Sequence, residues 1–208
     1  FLEVVDLRQI LHDVIEFQDV EIQRKQLHLT IPELPHPIWV RADPARLKQV
    51  LLNVVSNAVK FTDQGGLTVT VCVGCRTDLA VEAAPVIAAD SRSSENPLQQ
   101  MGTPPQPHIW VIVAFKDTGI GIEPDQQTKL FRPFVMADGS TTRKFEGTGL
   151  GLAISRNLVE RMGGTIVLHS DGLNEGTTVE IMLPVMDDSQ TPSGATTGQT
   201  TTPESLTV

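Results

Sequence analysis

The sequence predicts an α/β two-layer sandwich, in which one mixed β-sheet is covered on one face by helices. Residues 109–115 form an apolar run whose length suits a buried strand, and residues 68–73 alternate in polarity as a half-buried strand does. Two further strands are predicted at 166–170 and 178–183, joined by a glycine-containing turn. Helical segments separate these strands along the chain, so we expect strands and helices to share one core.

Three shorter strands are expected near the start of the chain. Residues 2–5 are a short strand candidate, residues 27–31 alternate in polarity, and residues 38–42 are a third candidate. Three prolines mark the turn between the second and the third. The predicted order is therefore strand, helix, two strands, helix, strand pair, polar segment, helix and closing hairpin.

The first helix is predicted to begin after Asp6, a favourable N-cap residue, with Gln9 at the capping-box position. It is expected to end near Lys25, where basic side chains suit the negative end of the helix dipole. The apolar residues expected on one face of this helix are Leu7, Ile10, Leu11, Val14 and Phe17.

The second helix is predicted to run from its N-cap Asp43, with Pro44 at the first helical position, to about Thr62. Its polar residues fall within an arc of about 100° and are Arg46, Gln49, Asn53, Ser56, Asn57 and Lys60. An ordinary solvated face is one interpretation of this arc. Asparagine is a poor helix former, however, and an idle face would favour Glu, Lys or Gln, so ligand binding is the favoured interpretation.

Two glycine motifs flank a polar segment in the second half of the chain. The first is 117–122 (DTGIGI), and the second is 147–152 (GTGLGL), which opens an amphipathic helix over 153–162. Glycine lets backbone N–H groups approach an anion closely, and a helix N-terminus adds partial positive charge. These motifs predict a phosphate-bearing ligand.

Three common phosphate-binding signatures are absent. The Walker pattern G-x-x-x-x-G-K-[ST] does not occur, which excludes a P-loop protein. The Rossmann pattern G-x-G-x-x-G fails because Pro124 and Leu152 occupy the third glycine positions. The HRD and DFG signatures of protein kinases are also missing.

The glycine motifs, the Asn53–Asn57 pair upstream and two phenylalanines between the motifs together resemble the ATP-binding catalytic domain of sensor histidine kinases. That family belongs to the GHKL superfamily, which includes gyrase, the mismatch-repair ATPase MutL and a heat-shock chaperone. The resemblance covers roughly residues 1–185. It implies the Bergerat form of the α/β sandwich, a mobile ATP lid, and ATP with Mg²⁺ as ligands.

The resemblance assigns the base-binding residues. Asp117 would accept a hydrogen bond from the adenine amino group, since a carboxylate is an acceptor only. Gly119 and Gly121 would let the backbone pass beneath the base, Ile122 would line an apolar slot, and Thr177 would lie near the adenine. Taken alone, Asp117 is equally consistent with a strand-end residue that forms an Asx turn.

The same resemblance assigns the metal and phosphate contacts. Asn57 would be the Mg²⁺ ligand through its amide oxygen, Asn53 would support the metal or the phosphates, and Lys60 would meet the phosphates as a point charge. The second glycine motif would offer backbone amides to the phosphates through Gly147, Thr148, Gly149, Leu150, Gly151 and Leu152.

The lid is implied between the two glycine motifs. Phe131 and Phe134 would anchor it, with Phe134 also counted among the ATP-binding residues. Arg143 and Lys144 would reach the β- and γ-phosphates on closure. Plain core packing is the alternative interpretation of the two phenylalanines, and both can hold.

The reaction is implied by a departure from the superfamily's ATP hydrolases. These carry Glu, a general base for water, where this chain has Asn53, so ATP is expected to be held for another nucleophile. In sensor kinases that nucleophile is a histidine within H-[ED]-x-x-[TN]-P. His12 and Asp13 begin this pattern but the rest is missing, and no other histidine fits.

We therefore expect a histidine protein kinase domain that cannot phosphorylate itself and has no catalytic residue of its own. Its phosphoacceptor and dimerisation helical hairpin would lie upstream, and a response-regulator receiver domain would act downstream. The alternatives are a GHKL-type ATPase and a non-catalytic nucleotide-binding pseudokinase module. The asparagine at position 53 disfavours the first, and the intact motifs disfavour the second.

Composition restricts the function further. The chain has 208 residues, a net charge of −9 and 40% hydrophobic residues, which suits a soluble domain with a core and argues against nucleic-acid binding. No apolar run approaches the ~18 residues of a membrane helix, so no direct membrane contact is expected. We expect a cytoplasmic piece of a longer protein, with any membrane anchor upstream.

Cys72 and Cys75 form a lone C-x-x-C at the end of a predicted strand. Three residues along a strand span about 10 Å and the side chains face opposite ways, which is too far for a disulfide. A zinc site would need further ligands at suitable spacing. Structural thiols in a reducing cytoplasm are therefore predicted.

Two segments depart from the domain pattern. Residues 76–107, rich in Ala, Ser, Pro and Gln, are predicted to be a disordered insertion between two strands, with no chemistry assigned. Residues 186–208 are predicted to be a Thr-rich disordered tail. The catalytic domain is accordingly predicted over residues 1–185.

Overall fold

The computed structural model describes residues 1–75, 109–135 and 148–186. The elements are β1 (Glu3–Asp6), α1 (Leu7–Arg24), β2 (His28–Thr30), β3 (Trp39–Ala42), α2 (Pro44–Phe61), β4 (Gly66–Cys75), β5 (Ile109–Asp117), α3 (Pro124–Gln127), α4 (Gly151–Arg161), β6 (Thr165–His169) and β7 (Thr178–Pro184). The predicted 76–107 insertion, most of the predicted lid and the predicted tail beyond residue 186 lie outside the described residues.

The main sheet has five strands in the order β2-β4-β5-β7-β6. Strands β2 and β4 are parallel and the other neighbours are antiparallel, so the sheet is mixed. Alternate residues of β5, namely Val111, Val113 and Phe115, are buried towards the helices. Helix α2 contacts β4 and β5, and α4 contacts β6, which confirms the predicted α/β sandwich.

Strands β1 and β3 form a separate two-stranded antiparallel sheet, so the prediction that all strands share one sheet was wrong. Prolines lack the N–H group that a ladder requires, and three of them separate β2 from β3. Strand β3 therefore leaves β2 and pairs with β1, with Val5 opposite Val40. An isolated bridge from Val40 to Val185 joins this small sheet to the end of β7.

The predicted N-caps are confirmed. Asp6 accepts a hydrogen bond from the Arg8 N–H at 3.0 Å, and Asp43 accepts one from the Arg46 N–H at 3.0 Å. The capping box was wrong, because the side chain of Gln9 instead donates along the helix to Asp13.

The predicted apolar face of α1 needs one correction. Phe17 is 71% exposed, while Ile15 occupies the core. Both are apolar, but successive helical residues are 100° apart, and Phe17 falls outside the arc that Leu7, Leu11 and Ile22 define. The apolar face of α2 is buried along Leu47, Val50, Leu51, Val54, Val55, Ala58 and Val59.

Strands β4 and β5 pair along their whole length, from Leu67 opposite Asp117 to Cys75 opposite Ile109. Cys75 and Ile109, the described residues on either side of the gap, thus face each other across the two strands. Nine residues of β5 place Ile109 about 27 Å from Asp117. Cys72 on β4 is a free, exposed thiol. Among the described residues, no helix is long and apolar enough to span a membrane.

Deleting residues 78–105 and joining the strands through a short glycine-containing turn should preserve the fold and stabilise it by about 1–2 kcal/mol, because a shorter loop costs less entropy to close. Calorimetric unfolding of both chains measures this. Replacing the same residues with a Gly/Ser segment of equal length is the control and should leave the stability unchanged. Loss of cooperative unfolding in the shortened chain would show that the segment contributes to the core.

Candidate functional site

The carboxyl group of Asp117 lies at the end of β5 and is 7% exposed. Its Oδ1 accepts hydrogen bonds from the N–H groups of Gly119 at 2.8 Å and Thr177 at 3.1 Å. Burial raises the pKa of Asp117, and these two hydrogen bonds oppose the rise. The Gly119 bond is the Asx turn weighed above, but burial and the second bond go beyond it. Oδ2 makes no hydrogen bond among the described residues, so it remains an acceptor for a ligand amine.

The first glycine motif packs against the end of α2. A Cβ on Gly119 would overlap the carbonyl oxygen of Phe61, and the neighbouring Ile120 N–H donates to that oxygen at 3.2 Å. Gly121 has φ +66°, and a Cβ there would overlap the carbonyl of Gly172. Side chains are therefore excluded at both glycines, and the backbone lies directly on its neighbours.

Two residues that the sequence did not single out hold this loop. The Ser170 hydroxyl accepts from the Ile122 N–H at 3.0 Å and faces the Gly176 carbonyl at 2.6 Å. Gln127 Nε2 donates to the carbonyl of Ser170 at 2.6 Å and to that of Ile122 at 3.2 Å. A serine at a strand end and a glutamine in a short helix carry no distinguishing pattern, so tertiary contacts alone reveal them.

The second glycine motif packs against the middle of α2. Asn53 Nδ2 donates to Ser155 Oγ at 3.0 Å, and a Cβ on Gly151 would overlap Asn53 Oδ1. The Asn53 amide is thus engaged with α4. Asn57, one turn further along, is partly buried and makes no side-chain hydrogen bond among the described residues. The amide oxygen of Asn57 is therefore available to a ligand.

The remaining predicted residues are placed unevenly. The Lys60 ammonium lies 4.9 Å from the centroid of the Phe61 ring. Phe131 packs against the core, with the Arg156 guanidinium 5.8 Å from its ring centroid. Phe134 is 78% exposed, so it does not share this packing. The predicted contacts Arg143, Lys144 and Gly147 lie outside the described residues.

Helix α4 begins without a side-chain cap from its N-cap residue. That residue, Leu150, has no side-chain group to bind the first N–H groups of the helix. Phe134 and Gly149 meet just before it, where the Phe134 N–H donates to the Gly149 carbonyl at 3.0 Å. This leaves Thr148, Gly149, Leu150, Gly151 and Leu152 as the described part of the predicted phosphate-binding motif.

The donor set suits Mg²⁺ held by one protein ligand. No cluster of three or more His, Cys, Asp or Glu side chains occurs within the described ranges. Mg²⁺ usually takes one or two protein oxygens and completes its shell with water and phosphate oxygens. The amide oxygen of Asn57 fits that requirement.

The sequence matches the family described as "Histidine kinase-, DNA gyrase B-, and HSP90-like ATPase" over residues 42–187, more than half of the chain. Probable histidine kinase 4 of Oryza sativa subsp. japonica is 33% identical over 199 residues, covering 77% of this chain and 20% of the rice protein. Hybrid signal transduction histidine kinase A of Dictyostelium discoideum is 31% identical over 204 residues, covering 91% of this chain and 8% of that protein. The chain thus spans a fifth or less of both relatives.

Solved structures are also similar. The crystal structure of full-length ShkA in complex with AMPPNP has a TM-score of 0.59 and 27% sequence identity, covering 88% of this chain and 31% of that one. The similarity supports the same arrangement of sheet and helices.

Asp117→Asn should raise the melting temperature of the unliganded chain at neutral pH. Because the folded pKa is raised, the folded state binds the proton more tightly, and stability falls as the pH rises from the unfolded to the folded pKa. Asparagine keeps an acceptor for Gly119 and Thr177 without the charge. The gain should shrink as the pH falls through the folded pKa and vanish near the unfolded value of about 3.9.

Thermal unfolding between acidic and neutral pH measures this effect, with the exposed Asp125→Asn as the matched control. The control should leave the melting temperature nearly unchanged, because the Asp125 side chain is exposed. A lower melting temperature for Asp117→Asn at neutral pH would mean that the charge itself stabilises the fold.

Gly151→Ala should destabilise the chain by about 1–3 kcal/mol, because the new methyl group overlaps the Asn53 amide. In an Asn53→Ala background the same substitution should cost little, or even stabilise the start of α4, since alanine is the better helix former. Denaturant unfolding of the four chains gives the coupling energy. Additive effects would contradict the packing of Asn53 on Gly151.

Proposed function

This chain belongs to the family of histidine kinase-, DNA gyrase B- and HSP90-like ATPases and is an ATP-binding catalytic domain of the histidine kinase type, and from this premise we propose its reaction. The domain binds Mg²⁺-ATP and donates the γ-phosphate to a histidine on a dimerisation hairpin outside this chain. A response-regulator receiver domain then takes the phosphate, which makes the parent protein part of a two-component system.

One observation carries this proposal: helix α2 touches both glycine motifs. The Phe61 carbonyl at its end accepts the Ile120 N–H, and Asn53 in its middle packs on Gly151. The first glycine motif (117–122, the base loop) and the start of α4 are therefore both held against α2, on either side of its polar residues. A nucleotide with its base at Asp117 and its phosphates towards α4 would follow the polar face of α2.

The carboxyl group of Asp117 selects the adenine base. Asp117 Oδ2 accepts a hydrogen bond from the amino group of adenine, while Oδ1 already accepts hydrogen bonds from the N–H groups of Gly119 and Thr177. Guanine presents a ring carbonyl at the equivalent position, which a carboxylate repels. Thr177, whose N–H binds this carboxyl, and Ile122, on the same loop as Asp117, complete the base site. The backbone of Gly119 and Gly121 lies beneath the base.

The phosphates and the metal lie along α2 towards α4. The amide oxygen of Asn57 would hold Mg²⁺, and the bound ion would supply positive charge to the phosphate oxygens. Lys60 on α2 and Arg143 and Lys144 of the lid add positive charge. Backbone N–H groups at the start of α4 face the phosphates, where the helix dipole favours negative charge.

Position 53 supplies no general base for water. Asn53 is an amide, which cannot accept a proton from water, and its Nδ2 is already bound to Ser155. Hydrolysis should therefore be slow and ATP should persist until a phosphoacceptor arrives. His12 lies on α1, where its ring is 3.9 Å from the carboxylate of Glu16. The residues that follow it do not form the phosphoacceptor pattern.

The chain should bind ATP in a Mg²⁺-dependent manner and fail to label itself. Calorimetric titration with ATP and GTP, with and without Mg²⁺, measures binding, and GTP should bind poorly. Asn57→Ala should keep the fold but lose the Mg²⁺-dependent part of the affinity. Asn157→Ala, an exposed asparagine on α4, is the matched control and should bind as the parent chain does.

Incubation with γ-labelled ATP then separates the enzyme classes. The chain alone should take up no label, and a matching phosphoacceptor hairpin supplied in trans should become labelled weakly, because covalent linkage would otherwise give an effective concentration on the order of millimolar. The label should be acid-labile, as phosphohistidine is. Rapid release of free phosphate would favour an ATPase, and label on His12 would make the chain a self-contained kinase.

A further inference from the structure

The end of α2 is completed by a side chain from another helix. The last carbonyl groups of a helix have no partner within it, and a glycine cap commonly supplies one. Here the C-cap Thr62 is extended, with φ −107° and ψ 114°. Lys25 Nζ instead donates to the carbonyls of Val59 at 2.7 Å, Lys60 at 2.9 Å and Thr62 at 3.0 Å.

All three donors of the Lys25 ammonium are used in this way. The side chain is 19% exposed, and the carboxylate of Asp63 lies 3.7 Å from the ammonium. A positive charge at this end of α2 also interacts favourably with the helix dipole. The contact is therefore charged, largely shielded and directed at the backbone, unlike an ordinary surface ion pair.

The backbone of Lys25 is itself fixed. It is the C-cap of α1, and the next residue, Gln26, has φ +56°. The Gln26 N–H donates to the Gln23 carbonyl and the Leu27 N–H to the Ile22 carbonyl, each at 3.0 Å, which is the Schellman pattern. Ile22 and Leu27 are both buried, so the lysine stem starts from a rigid point.

The same turn of α2 reaches the base loop. The carbonyl of Phe61, which lies between those of Lys60 and Thr62, accepts the Ile120 N–H at 3.2 Å. Gly119 packs against that carbonyl so closely that no side chain fits. Lys25 and the base loop thus bind neighbouring carbonyls of one turn, and Asn57 lies one turn before it.

We propose that Lys25 is a positioning residue for nucleotide binding. It is not one of the residues proposed to contact ATP. Its ammonium sets the end of α2, and through the Phe61 carbonyl it fixes the base loop relative to Asn57. This rests on the proposed function, since it concerns the same site. Without the ammonium the last turn frays, Ile120 loses its acceptor, and base and phosphates no longer meet their partners together.

The test compares Lys25→Met with Lys48→Met in the full chain. Lys48 is the matched control because it also joins α1 to α2, through Asp13 at 3.1 Å, but it binds no backbone carbonyl of α2. Binding of Mg²⁺-ATP is measured by calorimetry well below the melting temperature of each variant. Lys25→Met should weaken binding by about tenfold, as expected for lost hydrogen bonds to a charged group, and Lys48→Met by less than about twofold.

Amide hydrogen exchange at Ile120 in the unliganded protein supplies a second readout, which a general loss of stability would not produce selectively. Exchange at Ile120 should accelerate in Lys25→Met more than exchange in the central strand β5. If Lys25→Met does not fold, Lys25→Arg carries the same test. A planar guanidinium keeps the charge but cannot aim three donors at these carbonyls, so binding should still weaken by about threefold.

The outcomes are distinct. A folded Lys25→Met chain that binds Mg²⁺-ATP as the parent chain does, with unchanged exchange at Ile120, overturns the positioning role alone. Equal losses in Lys25→Met and Lys48→Met overturn it as well, since they would reflect helix packing in general. A parent chain that binds no ATP in the same titration overturns the proposed function, and the positioning role with it.

Discussion

Helix α2 belongs to the core and to the candidate site at once, and the arrangement of both depends on its two faces. Its apolar face, which includes Leu47, Val50 and Val54, is buried between α1, α4 and the sheet. The opposite face presents Asn57 and Lys60. Because the core fixes the rotation of the helix, it also fixes where these polar groups point. A site built on a packed helix is held more precisely than one built on loops.

Much of the fold could be predicted because its elements follow simple periodicities. The pattern of apolar residues predicted the long strands and the three main helices. The aspartates that precede two of the helices predicted the caps at Asp6 and Asp43. The family match confirms the sequence resemblance to histidine kinase catalytic domains. The small sheet of β1 and β3 was missed, because the partner of a three- or four-residue strand depends on tertiary packing. Phe17 was misplaced for a related reason, since an apolar residue at the edge of an arc can face either way.

The candidate site was predictable where its chemistry demands unusual residues. Glycines that exclude a side chain and asparagines inside a helix stand out in a sequence, and the structure places Gly119, Gly151 and Asn53 in close contact with neighbouring backbone or side chains. Ser155, Ser170, Gln127 and Lys25 could not be found, because each is an ordinary residue whose partners are distant in sequence. The ligand contacts of the predicted residues remain predictions, and so do the domain limits.

The small sheet also determines how a mechanical load would enter the domain. Strand β1 pairs with one edge of β3, and Val185 and Met186 lie along the other edge. The two flanks of the domain, β1 and residues 185–186, are therefore about 10 Å apart across β3. Strand β3 passes through Asp43 directly into α2. Tension at the first flank passes through β1 into α1, and tension at the second passes through β7 into the central sheet. The pairing of both flanks with β3 also connects either load to the helix that carries Asn57.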